Sequence, residues 1–101
     1  MGYKVIFSTQ SNRDLGQIVS FLAQKNPAAA GRLGDALVDR ALSAGAMPHM
    51  GAAVRVRRDI RRILHRPWFL IYYRIDDESR VVEIVRIWDA RQNPAGFNLG
   101  G

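Results

Sequence analysis

The sequence predicts an α+β fold in which a helical hairpin packs on one face of a mostly antiparallel sheet. Three observations carry that expectation. Apolar residues recur at helical spacing at Leu15, Ile18, Val19 and Leu22, and again at Ala30, Leu33, Leu37, Ala41 and Ala44. Two hydrophobic runs of strand character, Phe69–Asp76 and Val81–Trp88, are joined by the polar turn Asp77-Glu78-Ser79-Arg80. A short alternating run, Tyr3–Phe7, precedes the helices. The order β-α-α-β-β-β then has one simple layered solution: an N-terminal strand, two antiparallel helices, and a three-stranded antiparallel meander beneath them.

Each element has its own local reason. Ser8–Asn12 breaks the first strand, and Ser11 is placed to cap a helix of about 14 residues, with Asp14 three residues on in a capping-box-like position. Asn26 reads as the next N-cap and Pro27 as the first helical residue. Gly45 and Pro48 are expected to end the second helix, leaving 45–53 as a loop. Val54, Val56 and Ile60 begin the sheet. Ile60–His65 alternates poorly because both of its phases carry arginine, which suggests a strand with one arginine turned into a cleft. Arg66-Pro67 makes the next turn. In the following strand Phe69, Ile71, Tyr73 and Ile75 are assigned to the core, with Leu70, Tyr72 and Arg74 on the other side. For Val81–Trp88 two phases stay open, Val82-Ile84-Arg86-Trp88 and Val81-Glu83-Val85-Ile87.

With 101 residues the chain is expected to form one domain, with 95–101 as a flexible tail. An apolar share of 48% argues against intrinsic disorder elsewhere. The absence of cysteine excludes a disulfide framework and thiolate chemistry. No apolar run approaches the roughly 20 residues that span a bilayer, and the N-terminus has no signal pattern, so a cytoplasmic protein without membrane association is expected.

Charge is more informative. The net charge of +6 is carried by arginine, since Lys4 and Lys25 are the only lysines. From Gly51 onward ten arginines face six acids. Guanidinium groups bind phosphate and carboxylate in bidentate fashion and are more weakly hydrated than ammonium, so the bias favours a binding face over a merely solvated one. The dense run is Arg55, Arg57, Arg58, Arg61, Arg62 and Arg66, opposed only by Asp59.

Common catalytic signatures are missing: there is no phosphate-cradling glycine loop and no nucleophile elbow. His49 and His65 are far apart without cysteine, and Asp76, Asp77 and Glu78 sit in a turn where solvation is the favoured reading, so no metal site and no cofactor are expected. Arg61, Arg62, Arg86 and Arg91 could meet at one end of the sheet and neutralise a phosphodiester. His65 is the one acid–base candidate beside them.

Over nearly its whole length the chain resembles the RelE/ParE superfamily of bacterial toxins. The resemblance rests on YKVIFS, the helical hairpin, the loop with Pro48 and Gly51, IRRILHRPWFLIYYRIDD, VVEIVRIW and the closing DARQNP. It implies a small basic toxin of a type II toxin–antitoxin system, held by a cognate antitoxin in a hetero-oligomeric complex. RelE-like members cut messenger RNA on the ribosome with basic residues and often a tyrosine near the C-terminus, whereas ParE-like members inhibit DNA gyrase. Here Arg61 or Arg62 matches the family's second-strand arginine and Arg91 the arginine after the last strand. Where a catalytic tyrosine is expected stands Phe97, which has a ring but no hydroxyl. The resemblance therefore favours a gyrase inhibitor without a catalytic site over a ribonuclease using Arg61, Arg62, His65 and Arg91; a non-toxic antitoxin-binding member is the third reading. The expected target- or antitoxin-binding set is Arg55, Arg57, Arg58, Arg61, Arg62, Arg74, Arg86, Arg91 and Phe97, with Phe97 more readily a packing anchor for the tail.

Overall fold

The elements follow the expected order with one short strand added: β1 (Lys4–Phe7), α1 (Thr9–Ala23), α2 (Pro27–Ala46), a 3-10 turn (Pro48–Met50), β2 (Ala52–Val54), β3 (Arg57–His65), β4 (Phe69–Asp76) and β5 (Val81–Asp89). The structure is a computed structural model and describes residues 2–92, 94 and 97–99. Among these the strands form a five-stranded sheet in the order β1-β5-β4-β3-β2, with β1 parallel to β5 and the other pairs antiparallel. The expected meander is β3-β4-β5. The expectation of a flexible tail over 95–101 lies partly outside the described residues; within it, Phe97 and Leu99 are packed on the sheet. No helix among the described residues is long and apolar enough to cross a membrane.

α1 starts earlier than the sequence suggests. Ser8, not Ser11, is the N-cap: its hydroxyl accepts the Ser11 backbone N–H at 3.0 Å. The Ser11 hydroxyl instead donates back to the Ser8 carbonyl, and Asp14 is released from any capping role. Asn26 caps α2 as expected, accepting the Ala29 N–H at 3.0 Å, with Pro27 first in the helix. Gly45 does not end α2 but sits buried in its last turn, where a side chain would come within 2.7 Å of the Tyr3 carbonyl oxygen. The absence of a side chain lets β1 lie against the helix, with the Tyr3 N–H donating to the Gly45 carbonyl.

The inner face of the sheet carries the main core. Ile63, Phe69, Ile71, Tyr73, Val82, Ile84 and Ile87 pack against Leu37, Ala41 and Ala44 of α2, with Leu15 and Ile18 of α1 at the margin. The assignment of Phe69, Ile71 and Tyr73 to the core holds, with Ile75 partly buried beside them. β5 satisfies both of its open phases in turn. Tyr72 pairs with Arg86 and Tyr73 with Ile84, so Val85 is one extra residue, a bulge. Before it Val82 and Ile84 face the helices; after it Ile87 does, while Val85 turns to the outer face.

On the outer face a second, smaller cluster forms from Ile60, Tyr72 and Val85, with Val54, Leu70, Trp88, Phe97 and Leu99 around it. Val56, expected to start the sheet, lies in the β2–β3 turn and is 85% exposed.

Candidate functional site

The poor alternation of β3 has a simple geometric outcome: its two adjacent arginines point to opposite faces. Arg61 lies opposite Tyr73 on the inner side. Its guanidinium donates to the carbonyls of Gly51 (2.7 Å) and His49 (3.2 Å), which makes it the arginine turned into a cleft. Tyr73 completes that clamp, donating to the Pro48 carbonyl at 2.6 Å and accepting the Gly51 N–H at 3.0 Å. Burial raises the pKa of the phenol. Gly51 is required here, since a methyl group would collide with the Tyr73 hydroxyl and the Arg62 carbonyl. Arg61 therefore fixes a loop.

Arg62 faces the other way, opposite Tyr72, which in turn pairs with Arg86. Arg86 is nevertheless not available to a ligand in this arrangement. It is buried, donating to both carboxylate oxygens of Asp14 (2.8 and 3.0 Å) and to the Asn98 carbonyl (2.7 Å). Asp14 also accepts the Ile87 N–H, so one carboxylate holds a charge and a backbone donor of β5. The guanidinium lies over the rings of Trp88 (5.6 Å) and Phe97 (5.3 Å). Phe97 sits between Tyr72 and Trp88, at centroid distances of 5.0 and 4.6 Å.

Other arginines are engaged locally. Arg57 pairs with Asp59, Arg74 with Glu83, and Arg91 with Asp89. The Arg91 side chain, with its backbone N–H as a lesser cause, holds the Asp89 carboxyl below the usual range, as Arg57 does for Asp59. The Arg91 guanidinium also stacks 3.9 Å over Trp68. Arg55, Arg58 and Arg62 are exposed and make no hydrogen bond or ion pair among the described residues. They follow the β2–β3 hairpin, with Val56 at its tip.

The four-arginine cluster that a phosphodiester site would need is thus not assembled. Arg61 and Arg62 are on opposite faces, Arg86 is held by Asp14, and Arg91 folds back onto Asp89 and Trp68. His65 lies four residues along β3 from Arg61, about 13 Å at the strand rise. It is half-buried against Phe69, and its Nδ1 has no hydrogen-bond partner among the described residues. Among the described residues no group of three or more metal-ligating side chains comes together.

Sequence reasoning missed Asp14 as the partner of Arg86. The signals were present: Asp14 continues the Ile18–Leu22 stripe at four-residue spacing, and Arg86 interrupts an apolar strand. A buried charge of each sign calls for the other.

A helical hairpin over a five-stranded sheet is an architecture shared with chains from bacterial toxin–antitoxin systems. The fold matches a chain of the chromosomal ParDE system of P. aeruginosa with a TM-score of 0.75 at 17% identity, covering 87% of this chain and 96% of that one. It matches a chain of the RelBE2 toxin–antitoxin complex of Mycobacterium tuberculosis at 0.66 and 28% identity, covering 86% and 96%. A free double arginine-to-alanine variant of E. coli RelE gives 0.57 at 20% identity, covering 89% and 85%. No curated protein sequence gives a significant match. The chain belongs to the family described as the ParE toxin of the type II toxin–antitoxin system parDE, whose model matches residues 5–94.

Proposed function

We propose that this ParE-family toxin is a cytoplasmic protein, residues 1–101 acting as one domain, that inhibits DNA gyrase by docking rather than by cutting a substrate. A cognate antitoxin neutralises it in a hetero-oligomeric complex. The observation that carries the reading is the division of the arginines. Of the arginines a ribonuclease would turn on a phosphate, Arg61, Arg86 and Arg91 are tied to internal partners and Arg62 stands apart from them, and Phe97, without a hydroxyl, packs between Tyr72 and Trp88. Arg55, Arg58 and Arg62, without hydrogen bond or ion pair among the described residues, lie along one exposed hairpin, which suits electrostatic docking on an anionic surface.

The ribonuclease alternative finds its best support in the row Arg62–Tyr72–Arg86 across the outer face. Against it, Tyr72 is buried beneath Phe97, and Arg86 is held by Asp14 and Asn98.

The test is a supercoiling assay with purified gyrase and antitoxin-free protein. Wild type should arrest supercoiling, and the double variant Arg58→Glu, Arg62→Glu should need at least roughly tenfold more protein, as reversal of docking charges does. Unaffected supercoiling with wild type would remove gyrase as the target; full potency in the variant would remove the hairpin as the docking surface.

A further inference from the structure

The tip of the β2–β3 hairpin is not paired to the sheet behind it. β3 pairs with β4 only from Ile60–Arg74 onward, so that ladder ends before β4 reaches its acidic turn, while β2 still pairs with β3 at Val54–Arg57. Between the pairs Val54–Arg57 and Ala53–Arg61, the β3 residues Arg58, Asp59 and Ile60 have no partner on β2, a bulge that adds twist to the ribbon. Arg55 and Val56 connect the two strands, and Val56 is 85% exposed. Asp59 is the one carboxylate of the ribbon, and Arg57 donates to both of its oxygens at 3.0 Å. Arg55, Arg58 and Arg62 are left as a net positive charge. Opposite Arg62 stands Ala52, so nothing larger than a methyl group lies beside it on β2.

These features restrict the partner. One valine among guanidinium groups is too little apolar surface for the core of a protein interface, which gathers aromatic and aliphatic side chains. It fits a wedge instead: elements that enter the DNA minor groove combine arginines with an apolar side chain pressed against a base step. Arg58 and Arg62 are four residues apart, about 13 Å at the strand rise. Duplex DNA presents roughly eight phosphates over that length. An RNA duplex is a poorer match, because its minor groove is wide and shallow and its major groove is closed to side chains.

We propose that the hairpin grips duplex DNA in the minor groove, with Arg55, Arg58 and Arg62 on phosphates and Val56 against a base step. The proposal rests on the docking reading and deepens it, in that the anionic surface met by the hairpin is the DNA that gyrase holds. Binding to DNA is measured without gyrase, so the two readings fail separately.

The experiment follows the fluorescence anisotropy of a labelled DNA duplex with the antitoxin-free full chain, beside the supercoiling assay. Binding with a dissociation constant of roughly 1–100 μM at physiological salt is expected, weakening with a log–log salt slope of about −2.7 for three phosphate contacts. Arg55→Ala with Arg58→Ala should bring the slope to about −0.9. Arg13→Ala with Arg32→Ala, exposed helix positions that remove the same charge, should leave the slope unchanged. Val56→Ser, its fold checked by circular dichroism, should keep the slope and lose the bend that energy transfer between the duplex ends reports. A duplex rich in T-A steps, which deform easily, should bind roughly three- to tenfold more tightly than a G·C duplex. No binding of duplex at low salt, equal losses from the helix pair and the hairpin pair, or tighter binding to RNA of the same sequence overturns the proposal. Gyrase arrest that depends on Arg58 and Arg62 while free duplex is not bound assigns the hairpin to a protein surface of gyrase; it overturns the DNA contact and keeps the docking reading. Duplex binding through the hairpin with supercoiling unaffected supports the DNA contact and removes gyrase as the target.

Discussion

The two faces of the sheet are closed by different means. The inner face is sealed by two helices, and its side chains, from Ile71 to Ile84, meet α2 in a continuous apolar core. On the outer face the described cover is the segment Phe97–Leu99, held down by Arg86 through the Asn98 carbonyl and by ring contacts to Tyr72 and Trp88. One face is a core shared by whole elements; the other is a cluster under a strap fastened by one guanidinium. The contrast bears on how so basic a chain folds: its buried Arg86 is matched by Asp14, and Arg55, Arg58 and Arg62 are left on an exposed hairpin.

The sharpest way to test that contrast is to break the fastening. Asp14→Ala leaves Arg86 charged and buried and the Ile87 N–H unpaired. It should cost about 3–5 kcal/mol in urea denaturation, the range for a buried pair that loses one partner. A loss under about 1 kcal/mol would mean that Arg86 finds water instead.

Neighbouring residues on opposite faces give the next comparison. Ile84→Ala opens a hole in the helix-covered core and should cost about 3–4 kcal/mol. Val85→Ala removes less carbon beneath a strap that can settle, and should cost about 1–2 kcal/mol. Equal losses, read from denaturation midpoints, would erase the distinction between the faces.

Phe97→Ala should be milder still in its reach. A loss of about 1–2 kcal/mol is expected for a partly buried ring with two aromatic partners, and amide exchange should rise over β5 and the tail while β4 contacts to α2 stay protected. Uniformly faster exchange would show that the strap supports the whole fold.

The smallest effect concerns acid. Asp89 starts the turn that leads from β5 to the strap, and its carboxyl is held below the ordinary range chiefly by the Arg91 side chain. A depressed folded pKa gives stability that is full above the unfolded value of about 3.9 and is lost as pH falls through the folded value. The difference in urea midpoint between wild type and Asp89→Asn should therefore shrink below about pH 4. A difference that grows on acidification would reverse the assignment.

Legibility in the sequence followed the same division. The inner face of β4 was readable because Phe69, Ile71 and Tyr73 keep a strict two-residue period. β5 left two phases open because a bulge at Val85 switches the period within one strand, and a bulge depends on pairing with β4 that no local pattern displays. Arg61 and Arg62 looked like neighbours in a site because adjacency along a strand conceals that their side chains diverge. The cap moved from Ser11 to Ser8 because both are serines before an apolar stripe, and the parallel pairing of β1 with β5 carries Ser8 alongside the backbone of Ile84 and Val85.

The proposed action by docking rests on Arg61, Arg86 and Arg91 being tied to internal partners while Arg55, Arg58 and Arg62 stand exposed on a hairpin. It is tested most directly by following messenger RNA in translating ribosomes supplied with antitoxin-free protein, over the concentration range used in the supercoiling assay. The account predicts intact RNA. Cleaved RNA, abolished by Arg62→Ala or Arg86→Ala, would contradict it and make the row Arg62–Tyr72–Arg86 a phosphate site uncovered when the strap of Phe97 lifts.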